Sequence, residues 1–244
     1  MAQRVQASFP KISIIEEDVN PPYSEDTSTT YLELCKFIRR ETIRGINILT
    51  LTAGMRSGIN ASVVNYIQSA YMNHQACNIL IIAPGMRQGK YIKNQIVRGL
   101  FTKANAIIND PDICHYHYWN LQIDIIKNVH NIETIRALPS YDHVLVFNAP
   151  NIPLNVFRQL VLPFSSNIGK VIMTAHTSYS SEGNVSWWSL LKASPNVSSF
   201  EEHITTNEAG LDHRQVRINI GNVIPSTFIQ PNAYPFRFNI TNNQ

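Results

Sequence analysis

The stretch Ile46-Asn47-Ile48-Leu49-Thr50-Leu51-Thr52-Ala53-Gly54-Met55-Arg56-Ser57-Gly58-Ile59-Asn60 passes from a strand pattern into a glycine-bearing turn, and a helical pattern over 61–74 follows. A strand that leads through a short glycine turn into a helix is the first half of a βαβ unit. The second half comes at once. Residues 78–83 are an almost unbroken apolar run, as expected of a strand covered on both faces. A second turn over 84–89 leads into a helical pattern over 90–101. Two more buried strands, 144–147 and 170–174, flank a helix over 154–162. The pattern predicts an α/β fold: a mainly parallel sheet with helices on both faces.

Upstream, apolar positions Leu32, Leu34, Cys35, Phe37, Ile38 and Ile43 recur at helical spacing, and Gly45 ends that helix. Residues 1–30 read as an N-terminal arm, with Ile12–Ile15 followed by Pro21 and Pro22. Residues 31–200 form the α/β domain. Residues 201–244 form a C-terminal extension, irregular or β in character. In it 216–220 and 236–240 alternate, and Pro225, Pro231 and Pro235 interrupt anything longer.

At 44% hydrophobic and 15% charged residues the chain is neither disordered nor a coiled coil, both of which need many charges. A net charge of +3 permits nucleic acid without arguing for it. Three scattered cysteines, Cys35, Cys77 and Cys114, suggest neither a disulfide framework nor a zinc site. The polar residues 1–9 lack a signal-peptide core, and every apolar run is far shorter than the ~20 residues of a membrane span. The expectation is an intracellular protein with no membrane partner.

The turn Ala53–Asn60 stands where a phosphate-binding loop belongs, because loop and helix N-terminus aim backbone N–H groups at an anion. Its frame, Ala53, four residues, Gly58, matches the Walker A pattern. The Lys that should follow is Ile59 and the Ser/Thr is Asn60. Lysine neutralises the β/γ-phosphates and the hydroxyl holds Mg²⁺; isoleucine does neither. Gly54, Arg56, Gly58 and Asn60 remain as phosphate-binding candidates. The second turn, Gly85-Met86-Arg87-Gln88-Gly89-Lys90, adds Arg87 and Lys90. The plainer reading of both turns is strand-to-helix punctuation by glycine. The strand Val144-Leu145-Val146-Phe147 ends in Asn148-Ala149, where a Walker B strand ends in Asp-Glu. The strand Lys170-Val171-Ile172-Met173-Thr174 ends in a small polar cluster, with Thr174 and His176 as further candidates.

Together these pieces over residues 46–200 resemble the ATPase domain of viral large terminase subunits, the herpesvirus type in particular, with superfamily 2 helicases as the nearest rival. The resemblance implies a P-loop NTPase-like fold of RecA/ASCE type. Within it, Lys170–Thr177 would be the motif coupling the γ-phosphate to nucleic-acid movement. Ser186–Leu191 would be the aromatic-rich helix after that motif. The departures fall on the four positions that carry hydrolysis: Ile59, Asn60, Asn148 and Ala149. The expectation is therefore a pseudoenzyme, a structural or regulatory component of a viral assembly or of a packaging or replication complex. Its expected partners are other viral proteins, or DNA or RNA. No cofactor or metal is expected, ATP and Mg²⁺ entering only with residual activity. The alternatives are an active NTPase motor with non-standard residues and a plain nucleic-acid-binding module.

For nucleic acid, Lys36, Arg39, Arg40 and Arg44 form the densest basic helix face, against the alternative of a solvated surface. Tyr116, Tyr118, Trp119, Trp187 and Trp188 are candidate stacking platforms, against core packing. Cys114-His115-Tyr116-His117 sets two histidines on one side of a strand without a further metal ligand placed by sequence.

Overall fold

The computed structural model describes residues 29–74, 77–129, 140–161, 170–177, 187–206 and 212–222. The expected arm (all but its last two residues), Ser186 and the strand at 236–240 lie outside these. Within them the chain forms nine strands: β1 Ile48–Ala53, β2 Cys77–Ile82, β3 Ala106–Asn109, β4 Ile113–Tyr118, β5 Leu121–Ile126, β6 His143–Val146, β7 Lys170–His176, β8 Val197–Thr206 and β9 Asp212–Asn219. The helices are α1 Thr29–Ile43, α2 Ile59–His74, α3 Met86–Val97, the short α4 Leu154–Val156 and α5 Trp187–Lys192; a π-type turn, Phe157–Val161, continues α4.

One sheet holds all nine strands in the order β3-β4-β5-β2-β6-β7-β1-β8-β9. Strands β5, β2, β6, β7, β1 and β8 run parallel, and antiparallel strands close both ends. The loop strand β1 and the Asn148 strand β6 are separated by β7. The α/β fold with a mainly parallel sheet is as the pattern predicts. β1 is buried at every position, because helices cover both its faces.

Alternate strand residues feed two cores. Leu49, Leu51, Ile79, Ile81, Leu145, Phe147, Ile172 and Phe200 pack with Leu34, Phe37 and Ile38 of α1, Val63 and Ile67 of α2, and Ile92 and Ile96 of α3. Ile48, Leu80, Val144, Val146, Val171 and Met173 pack on the other face with Val156, Phe157, Trp188 and Leu191.

One expectation needs correction. The helix expected at 90–101 begins at Met86, because Gly89 is a helical residue and not a turn residue. A Cβ there would lie 2.5 Å from Ile125 Cγ2, so the glycine lets α3 settle onto β5. Between 106 and 126 three strands form a β-meander, of which the sequence reading held only the strand through Cys114–His117. Strand β8 runs across residue 200 and is hydrogen-bonded along β1 from Val197 to Glu201. The sheet continues through β9, so the first part of the expected extension belongs to the α/β fold.

A buried carboxylate joins α1 to the sheet. Glu41, with no exposed side-chain surface, accepts from the Ser198 hydroxyl at 2.7 Å and pairs with Arg40 and Arg44, each at 2.7 Å. Burial alone would raise its pKa; the Ser198 hydrogen bond and the two guanidinium groups outweigh burial and hold it below its ordinary 4.5. Between the folded and ordinary values the unfolded chain binds more protons. Stability therefore rises with pH through that window, is fully present above about 4.5, and is lost as pH falls below it. Glu41→Gln is expected to lower stability at pH 7 by about 2 kcal/mol and to flatten the loss of melting temperature below pH 4.5. Identical acid melting curves for the two proteins would count against this network.

Candidate functional site

The site lies at the carboxyl edge of β1, β7 and β6, where open parallel sheets hold ligands. The register sets Leu51 beside Thr174 and Ala53 beside His176, so these candidates border the loop leaving β1. Thr174 is buried. His176 is half-buried, with its Nδ1 enclosed and without a hydrogen-bond partner among the described residues.

The loop itself is tightly turned. Arg56 is exposed at φ +64°, the left-handed region that non-glycine residues seldom adopt. Gly58 is at φ +79°, and a Cβ there would lie 2.9 Å from the Cβ of Tyr31. Glycine at 58 thus serves both the turn and the close approach of α1, which covers the loop on that side. Ser62 N–H donates to Gly58 O at 2.9 Å, carrying the turn into α2. Ile59, the first residue of α2, is 3% exposed and packs in the core with Val63, Ile67 and Leu51. Asn60 follows it, half-buried.

The base of the loop is held from β8. Gly54 N–H donates to Glu202 Oε2 at 3.4 Å, the Thr30 hydroxyl donates to Oε1 at 2.5 Å, and Arg214 Nε donates to the same oxygen at 2.6 Å. Arg214 also reaches Glu33 of α1. Burial would raise the Glu202 carboxyl; the Arg214, Thr30 and Gly54 donors outweigh it and keep the group below its usual range. Loop, α1, β8 and β9 are therefore tied through one buried anion.

Across the edge, Asn148 is in the left-handed region at φ +50°, and its amide donates to Gln88 Oε1 of α3 at 3.3 Å. Ala149 is fully buried against the second core and opens a short 3₁₀ turn, Ala149–Asn151. In the second turn Gly85 is the residue before α3, Arg87 is exposed on the first turn of the helix, and Lys90, just beyond that turn, is partly buried.

The basic face of α1 divides. Arg40 and Arg44 are engaged by Glu41, while Lys36 and Arg39 are exposed. The aromatic candidates divide as well. Tyr116, Tyr118 and Trp188 are core residues, and Trp187 stacks on Phe157 at 4.8 Å. Trp119 is 81% exposed. His115 and His117 share a face of β4, and His115 lies between two carboxylates, its Nε2 3.1 Å from Asp110 and its Nδ1 2.9 Å from Asp124. No group of three or more His, Cys, Asp or Glu side chains among the described residues could hold a metal ion. No helix among them is long and apolar enough to cross a membrane.

Sequence reasoning missed Glu202, Arg214, Tyr31 and Gln88. Nothing local marks them: Glu202 lies 148 residues from Gly54, and only the pairing of β8 with β1 brings the two together.

No family model matches the sequence, and comparison with curated proteins gives no match. Among solved structures the chain is similar to the large terminase ATPase domain of Thermus phage P74-26, with 17% identity and a TM-score of 0.43 over 61% of this chain and 68% of that one. It is similar to the large terminase of a second, thermophilic bacteriophage, with 10% identity and a TM-score of 0.45 over 62% of this chain and 39% of that one. That second terminase is also among the similar structures in complex with ADP, with 10% identity and a TM-score of 0.42 over 61% of this chain and 38% of that one. These likenesses concern the fold alone.

Proposed function

We propose that this chain is a catalytically degenerate P-loop ATPase-like domain, acting as a structural or regulatory component of a viral packaging or replication assembly, inside the host cell or in the virion. The observation that carries the reading is the burial of Ile59. The residue standing where a P-loop places its phosphate-gripping ammonium is packed into the core at the start of α2. Three further positions point the same way. Asn60 lacks the hydroxyl that holds Mg²⁺, Asn148 presents an amide committed to Gln88, and Ala149 offers no carboxylate to activate water. This set does not fit a magnesium–nucleotide complex, and no hydrolytic step is assigned to it.

The chain's own residues do something else at this edge. Tyr31 covers Gly58 and Glu202 holds Gly54, so the loop serves as a packing junction between α1, β1 and β8. Such a junction suits a domain that presents surfaces to partner proteins or to DNA or RNA.

Purified protein supplied with ATP and Mg²⁺ is expected to release phosphate no faster than a protein-free blank, and to show no Mg²⁺-dependent nucleotide binding by calorimetry. Clear turnover that Arg56→Ala abolishes would establish the rival reading, an active motor using surrogate cations.

A further inference from the structure

The opposite edge of the sheet carries a feature that the loop does not explain. Strands β4 and β5 are joined by the two-residue turn Trp119-Asn120, and Trp119 sits at φ +35° with 81% of its surface exposed. A bulky residue at positive φ is a conformational outlier, and such outliers gather at functional positions. The fold has no use for this ring in its core.

The hairpin is rigid beneath that ring. Flanking Tyr118 and Leu121 are buried. Cys77 N–H donates to Asn120 O at 3.0 Å, and Asn105 N–H donates to His117 O at 2.7 Å. The Tyr118 ring lies 5.2 Å from Phe101, which lies 5.6 Å from Tyr71, so an aromatic row backs the tip. The segment from α3 to β3 that supplies Phe101 also supplies cations: Lys103 is exposed and Arg98 half-exposed. Gln68 donates to the carbonyls of Gln95, Ile96 and Arg98 and fixes the start of that segment. The carboxylate of Asp142, at the same edge, accepts the Asn78 N–H at 2.8 Å.

Phe101 meets the Tyr118 ring and Asn105 bonds His117, so the segment that carries exposed Lys103 is anchored at the hairpin tip. An exposed aromatic on a rigid tip with cations on the segment packed against it is the chemistry of a single-stranded nucleic-acid contact, in which a base stacks and the flanking phosphates meet the charges. We propose that the β4–β5 tip binds single-stranded nucleic acid, with Trp119 stacking a base and Lys103 and Arg98 meeting phosphates. The site is at the amino edge of the parallel strands, away from the loop, and an active nucleotide site would leave it standing.

The test uses the full chain and a fluorescein-labelled twenty-nucleotide oligothymidylate, read by anisotropy at several salt concentrations. Wild-type protein binds; Trp119→Ala weakens binding roughly five- to hundredfold, the range of one lost stacked base, and Trp119→Phe keeps most of it. Lys103→Ala and Arg98→Ala each lower the slope of log affinity against log salt by about 0.7. Circular dichroism checks that each variant is folded. Wild-type protein that does not bind, or Trp119→Ala that binds as well as wild type, overturns the proposal. So does wild-type self-association in sedimentation that Trp119→Ala abolishes while no oligonucleotide binds, since the tip is then a protein contact.

Discussion

Ile59→Lys is expected to destabilise the protein by about 3 kcal/mol and to create no ATP turnover. Both results follow from where the side chain goes. Ile59 is 3% exposed and packs among Leu51, Val63 and Ile67. A lysine there must bring an ammonium into apolar surroundings or swing its end to solvent and leave the site underfilled. Its aliphatic stem recovers some of the packing, so the loss stays below that of the worst core truncations. The added ammonium would still lack a metal ligand at 148 and a base at 149, and phosphoryl transfer depends on positioning and charge neutralisation together. Denaturant unfolding and a phosphate-release assay on the same preparation check the two halves. A lysine variant as stable as wild type that hydrolyses ATP would show that the loop is one residue from a working site.

Asp124→Ala is expected to cost about 4 kcal/mol, although this residue lies far from the loop. Asp124 has no exposed side-chain surface and stands in the middle of β5. It accepts from the Tyr141 hydroxyl at 2.6 Å and from Gln122 Nε2 at 3.1 and 3.2 Å, and lies 2.9 Å from His115 Nδ1. Burial, and then the hydrogen bond and charge of Asp124, push the Tyr141 phenol well above its ordinary range, as expected of a hydroxyl donating to a buried anion. Alanine would remove the carboxylate to which the Tyr141 hydroxyl donates and one of the two carboxylates beside His115. Tyr141→Phe removes one donor and should cost about 1 kcal/mol. Because Asp124 and His115 join β5 to β4, the alanine variant should also loosen the hairpin that carries Trp119, read as faster amide exchange at 113–118. A loss under 1 kcal/mol would show that the carboxylate is not the hub of this network.

Ile59 and Asp124 stand on either side of what a linear reading reaches. The parallel centre was legible because β1, β2, β6 and β7 are short apolar runs separated by helical periodicity, and burial on both faces leaves that trace. Of the meander only the strand through His115 and His117 was legible, because β4 and β5 place His115, His117, Gln122 and Asp124 among their apolar residues, a pattern that makes sense only once the polar groups face each other across two strands. Gly89 was legible as a glycine and misread as a turn, since its reason is the nearness of Ile125 on another strand.

At the loop, local sequence established the frame from Ala53 to Gly58 and the replacement of the residues at 59, 60, 148 and 149. Composition and spacing needed no coordinates to show that, because each substitution changes what a side chain can donate, accept or neutralise. Only the tertiary structure decided what those positions do instead. Ile59 is a core residue because α2 seats it against β1. Asn148 bonds Gln88 because β6 ends beside α3. Glu202 holds Gly54 because β8 pairs with β1 across 148 residues of chain. The Trp119 ring is exposed, and Tyr118 and Trp188 are not, because a two-residue turn points one aromatic outward while the sheet encloses the others. Contacts between residues far apart in the chain leave no local periodicity, and this protein's site is built from such contacts.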